Sequence, residues 1–225
     1  TYSLYYVKKV LGMNPVAYTY DWGMVTDLAR RNISRICGAE GVEHILVSAD
    51  IHKKRENIRQ NVMAWLKKPH LGTIPLFMAG DKAYFNVCRR LGKQMNIDLH
   101  FMGENMLERT DFKTGFAGVD PSPDKNHVYT LSPIRKMRLA SFYAGQYLRN
   151  PAYVNASLFD TLNAFGYYYF LKRPFINLYR YIRWHEDTII ATLRKRYDWE
   201  LAEDTKSTWR IGDGTASFYN YIYFT

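Results

Sequence analysis

The sequence predicts an α/β protein, a parallel sheet in a three-layer sandwich with helices on both faces and an added helical C-terminal part. Three observations carry that expectation. Apolar segments of strand length alternate with segments of helical spacing through the first half of the chain. The strand-like runs, such as His44-Ile45-Leu46-Val47-Ser48-Ala49, are short and lack alternation, as strands buried on both faces do. Each of these runs ends in a polar or glycine-bearing turn, at Asp21, at Asp50 and at Gly103-Glu104-Asn105.

The elements follow in order. Residues 3–11 have helical spacing and stop at Gly12. Pro15 to Tyr20 is a first strand ending at Asp21-Trp22-Gly23, and a helix over 24–37 is closed by Gly38. The second strand, 44–49, leads into a helix over 51–67. A further helical stretch covers 73–95 with a break near Gly80-Asp81, and Asp98 to Met102 is a third strand. A loop over 119–132, with Pro121 and Pro123 in it and Pro133 just beyond, precedes helices over 134–148 and 155–170. Phe175 to Ile182 reads as a fourth strand, before a helix over 184–197. No repeat or flexible linker divides the chain. Residues 1–118 read as the α/β core, and 119–225 as its continuation with a helical insertion, one more strand and a closing segment.

Composition narrows the function. The chain has 225 residues, 47% of them hydrophobic and 23% charged, which is globular rather than disordered composition. With 31 basic and 21 acidic side chains its formal net charge is +10, a field that attracts anionic ligands. The basic residues come as pairs such as Lys8-Lys9, Arg30-Arg31, Lys53-Lys54-Arg55 and Lys67-Lys68, mostly near helix ends, where solvated faces are the simplest reading. The aromatic and basic run Tyr167 to Arg173 permits nucleic-acid contact, but no nucleic-acid-binding motif accompanies it, so nucleic acid is not the expected partner. Cys37 and Cys88 are too few for a disulfide framework and read as structural thiols. No apolar run reaches membrane-spanning length and no signal-peptide pattern opens the chain, so a soluble, cytoplasmic protein without membrane insertion is expected. The opening at Thr1 without Met, and the aromatic close Phe218 to Thr225, read as the ends of a piece of a longer protein.

In an open parallel sheet, ligands bind outside the carboxyl ends of the strands, which makes Asp21, Asp50 and Gly103-Glu104-Asn105 candidates for one shared rim. Each also suits a plainer role, since Asp and Asn are favoured at helix N-caps and in turns. His185-Glu186-Asp187 lacks a zinc-protease histidine pair, the six histidines never fall at metal-ligand spacing, and no serine-hydrolase elbow is present. Ser207 to Thr215 combines Trp209, Arg210, Asp213 and two glycines. Such a group can stack on a ring and grip a phosphate, or can simply form a tight turn.

Several segments, taken in order, resemble the N-acetyl sugar amidotransferases: Thr19-Tyr20-Asp21-Trp22-Gly23, Met102-Gly103-Glu104-Asn105, Phe112-Lys113-Thr114-Gly115-Phe116, Arg149-Asn150-Pro151 and Thr208 to Thr215. That family belongs to the ATP pyrophosphatases, has an adenine-nucleotide α-hydrolase-like (Rossmann-like) fold, and acts in lipopolysaccharide and surface-sugar biosynthesis. The resemblance spans nearly the whole chain. It implies a Ser-Gly-Gly-x-Asp-Ser phosphate loop and a central strand ahead of the first helix, outside residues 1–225. It implies ATP and Mg²⁺, a sugar-nucleotide substrate, and ammonia from a separate glutaminase subunit. Thr19, Tyr20, Asp21 and Gly103 would hold the nucleotide. Glu104, Asn105 and Asp213 would serve catalysis, and Lys113, Trp209 and Arg210 would bind the sugar-nucleotide. Two other outcomes stay open: a tRNA-thiolating ATP pyrophosphatase, for which Cys37 and Cys88 show no pairing, and a non-catalytic nucleotide-binding protein.

Overall fold

The computed structural model describes residues 1–80, 82–103, 115–119, 131–170, 175–202, 218 and 221. Its elements are helical and strand segments in alternation, and the chain is α/β with parallel strand pairing. It forms two compact units. Unit 1 comprises Thr1–Ala49, Phe101–Leu107 and Asn177–Thr225, and unit 2 comprises Asp50–His100 and Glu108–Ile176.

Unit 1 opens with helix α1 (Tyr2–Tyr5), which widens into a π-helical turn at Tyr6–Val10. Strand β1 (Ala17–Asp21) and strand β2 (His44–Ser48) pair in parallel, from Ala17↔His44 to Asp21↔Ser48. A parallel pair needs a long crossover, and helix α2 (Asp27–Glu40) supplies it. The Thr26 hydroxyl caps α2 by accepting from the Ala29 amide. The predicted stop at Gly38 is displaced. Gly38 lies inside the helix, and Gly41, at φ +57°, takes the left-handed C-terminal position. The core of unit 1 joins Ile36 and Cys37 of α2 to Tyr179, Ile189, Leu193, Tyr197 and Trp199, on or next to helix α7 (Glu186–Tyr197). Asn32 binds the Glu200 backbone twice, donating to its carbonyl at 2.8 Å and accepting from its amide at 2.9 Å.

In unit 2, helix α3 (Ile51–Lys67) begins at Asp50, whose carboxylate accepts from the Lys53 amide at 3.0 Å. The helical stretch predicted over 73–95 does break near Gly80, with helix α4 (Ala83–Met95) beyond it, but ahead of the break the chain makes two 3₁₀ turns, Leu71–Thr73 and Phe77–Ala79, rather than a regular helix. The stretch ahead of the break is where the unit's core lies: Ile74, Leu76, Phe77, Met78 and Ala79 are fully buried. Helix α5 (Pro133–Arg149) is capped by Ser132. Helix α6 (Leu158–Phe165) runs into a π-helical stretch at Gly166–Phe170. The Phe77 ring stacks 4.7 Å from Phe165 and 6.1 Å from Tyr143, centroid to centroid.

Strands β3 (His100–Met102) and β4 (Phe175–Asn177) pair with each other, and the chain passes between the units within both. The predicted fourth strand therefore shrinks to three residues, since a 3₁₀ turn begins at Leu178 with the Asn177 side chain accepting from the Tyr179 amide. The described strands make two separate pairs, so the single sheet expected to bring the ends of β1, β2 and β3 onto one rim is not seen among the described residues. The strands are also half-buried rather than enclosed, with Leu46 exposed, because every strand of a two-stranded sheet is an edge. Among the described residues, no helix is long and apolar enough to cross a membrane.

Candidate functional site

The carboxyl end of β1 is the best-built polar feature of unit 1. Asp21 is only 1% exposed. Its carboxylate accepts from the Gly23 amide at 2.8 Å and from the Arg30 guanidinium of α2. Gly23 sits at φ +97°, a conformation glycine adopts without strain, and this lets the chain fold back so that its amide meets the carboxylate. The Asp21 carbonyl accepts from the Ala49 amide at 2.8 Å, so the end of β1 is tied to the segment after β2. Asp21 is thus a fully engaged structural anion, and what this end can offer a ligand is main chain and the neighbouring side chains.

Thr19 is likewise committed, its hydroxyl lying 2.9 Å from Nε2 of His44 across the β1–β2 pair. Tyr20 is half-buried on the same strand. Burial lowers the proton affinity of His44 below its ordinary pKa of 6.5. The unfolded chain therefore protonates first as pH falls. Stability supplied by neutral His44 is complete above about pH 6.5 and declines as pH drops from there toward the folded value. In urea unfolding at pH 7.5 and 5.5, His44→Gln is expected to show a smaller loss between the two pH values than the native chain. An unchanged difference would rule out His44 as a source.

At the end of β3, Gly103 lies against the first helix. A Cβ built on it would fall 2.3 Å from Oγ and 3.1 Å from Cβ of Ser3, so any side chain here would make Ser3 turn its hydroxyl away and the two segments ease apart. The remaining candidates, Glu104, Asn105, Lys113, Trp209, Arg210 and Asp213, lie outside the described residues. Asp50 belongs to unit 2 and acts as the N-cap of α3, the plainer of its two readings. Among the described residues no three His, Cys, Asp or Glu side chains converge.

Unit 2 holds a polar cluster that no motif in the sequence announces. Lys54, expected to be on a solvated face, has a side chain only 8% exposed, and its Nζ is 2.7 Å from Oδ2 of Asp160 on α6. Asn57 donates to the same oxygen at 3.0 Å, and its own Oδ1 is buried with no hydrogen-bond partner among the described residues. One turn further along α3, Asn61 donates to the Met78 carbonyl at 3.1 Å and to Ser157 Oγ at 2.8 Å. Ser157 and Thr161 donate to that same carbonyl. The spacing of 54, 57 and 61 is that of one helix face, and a polar stripe beside buried Ala64 and Trp65 was the available signal. Its chemistry is anchorage: it satisfies the carbonyls of Met78 and Ala79, at the end of the irregular segment. Cys37 is buried in unit 1, and Cys88 of α4 is half-buried, 3.7 Å from Nδ1 of His100.

No protein-family model, no curated protein and no solved structure matches the chain.

Proposed function

We propose that the chain is the catalytic part of an ATP-dependent N-acetyl sugar amidotransferase. In this reading the β1–β2 and β3–β4 pairs belong to one Rossmann-like parallel sheet, with a further strand on the edge of β1 away from β2. The observation that carries the reading is the approach of Gly103 to Ser3. The family resemblance implies a phosphate loop leading into the first helix, facing Met102-Gly103-Glu104-Asn105 across the ATP phosphates. That arrangement needs the end of β3 beside the start of the first helix, with no side chain between. The engagement of Thr19 and Asp21 within the fold agrees with a nucleotide edge recognised through main chain rather than through these side chains.

The reaction is an oxygen-for-nitrogen exchange. The acetamido oxygen attacks the α-phosphorus of ATP, and pyrophosphate leaves. Ammonia adds to the activated carbon, and AMP departs with the acetamido oxygen, leaving an acetamidino group. AMP is a far better leaving group than hydroxide, which is why ATP is spent. Glu104, Asn105 and Asp213 are the catalytic candidates, with Lys113, Trp209 and Arg210 on the sugar side. Ammonia would come from a glutaminase subunit, and the setting would be cytoplasmic synthesis of surface polysaccharide.

The test uses the protein carrying the phosphate loop that this reading places ahead of the first helix, given UDP-linked N-acetyl sugars labelled with ¹⁸O in the acetamido group, with ATP, Mg²⁺ and ammonium chloride. AMP carrying ¹⁸O is the expected product. Gly103→Val should lower kcat/KM about a hundredfold by displacing the helix start. Pyrophosphate release without label in AMP, or no nucleotide turnover, would remove this function.

A further inference from the structure

Helix α5 carries two apolar faces. The inner one buries Leu139 and Tyr143 with Gln146, and Tyr143 donates from its hydroxyl to the Gly72 carbonyl at 3.1 Å. The outer one runs Ile134, Met137, Ser141, Ala144 and Leu148, all exposed, with Ile134 at 78%, Met137 at 70% and Leu148 at 82%. These steps of three and four residues make a 3.5-residue repeat, the seam spacing by which one helix packs along another. A helix apolar on opposite sides is ordinarily covered on both. The seam is about 21 Å long at 1.5 Å per residue.

We propose that this outer face of α5 docks an amphipathic helix of a partner protein, one whose apolar seam is bordered by Asp and Glu. Charge selects that occupant. Helix α5 contains Arg135, Lys136, Arg138 and Arg149 and no acidic residue. Arg138 and Arg149 are exposed beside the seam, and the whole chain carries +10. A second copy would set this basic surface against itself, a like-charge meeting that costs affinity. Shape selects against a flat bilayer. The seam is large at its ends and small at Ser141 and Ala144, a shallow saddle that receives a crossing helix and leaves a plane unfilled in the middle.

The test uses two synthetic 21-residue helices with the same leucine seam, one flanked by Glu and one by Lys, each titrated by fluorescence anisotropy into the full chain. The Glu-flanked peptide should bind at least about tenfold tighter, with the preference shrinking as salt rises. Ala144→Glu should abolish its binding while leaving the melting curve in place, since the position is exposed. Arg138→Glu should shift preference toward the Lys-flanked peptide. Equal binding of the two peptides, or binding of neither, overturns the proposal. So does sedimentation showing a dimer that Ala144→Glu dissolves, or flotation with phosphatidylserine vesicles that Ile134→Glu abolishes.

Discussion

Phe77→Ala should destabilise unit 2 by about 4 kcal/mol, within the usual cost of removing a buried aromatic ring. Phe77 is fully buried and sits in a ring cluster with Phe165 and Tyr143, themselves 4.9 Å apart. Its neighbours Leu76 and Met78 are also fully enclosed, so the surroundings have little freedom to collapse into the void. Because domain stabilities run to roughly 5–15 kcal/mol, a loss of this size leaves the unit marginal. Phe77→Leu keeps most of the volume and should cost about 1.5 kcal/mol. The check is urea unfolding followed by near-ultraviolet circular dichroism, which reports on packed rings. A cost below about 1 kcal/mol for the alanine variant would mean that the ring cluster does not hold the unit together.

Asp160→Ala should cost about 3 kcal/mol, through a different cause. Removing one partner of a buried ion pair leaves the other charge uncompensated. Here the orphan is Lys54, whose ammonium would keep only the Ala79 carbonyl at 3.4 Å, and Asn57 would lose its acceptor as well. The partial exposure of Asp160, 26% at the side chain, puts the expected cost at the lower end of the range for such pairs. Lys54→Met combined with Asp160→Ala removes both charges, and the double variant should be more stable than Asp160→Ala alone. If the two substitutions simply add their costs, the pair is not coupled and the account of the cluster fails.

The sequence was most readable where a local rule decides. Asp50 before a helical run reads as a cap, and its carboxylate does meet the Lys53 amide. The strand at 44–48 and the helix at 51–67 follow from apolar pattern and punctuation. Local rules misled where several competed. Gly38 and Gly41 both suit a helix stop, and only the positive φ of the second distinguishes them. The stretch from Leu71 to Ala79 is apolar at helical spacing, yet its carbonyls bond to Tyr143, Tyr153 and Thr161 side chains 71 to 83 positions further along the chain. No window of sequence contains those partners. The same holds for Lys54, whose burial depends on a carboxylate 106 positions away. At the candidate site, sequence marked Asp21 as polar and well placed, but not that Arg30 and the Gly23 amide already claim its charge.

The order of the chain has a consequence during synthesis. The core of unit 1 joins Ile36 and Cys37 to residues between Tyr179 and Trp199, so α2 must wait for well over a hundred further residues before its apolar face is covered. Unit 2 is drawn entirely from the intervening sequence and holds its own buried aromatic centre. On a ribosome the middle of this chain can therefore close first, while the amino-terminal β1–α2–β2 segment stays open and dependent on what is translated last. Helix α2 is then the segment for which chaperone binding matters most. Any truncation before Tyr179 should leave that helix permanently uncovered, whatever becomes of unit 2.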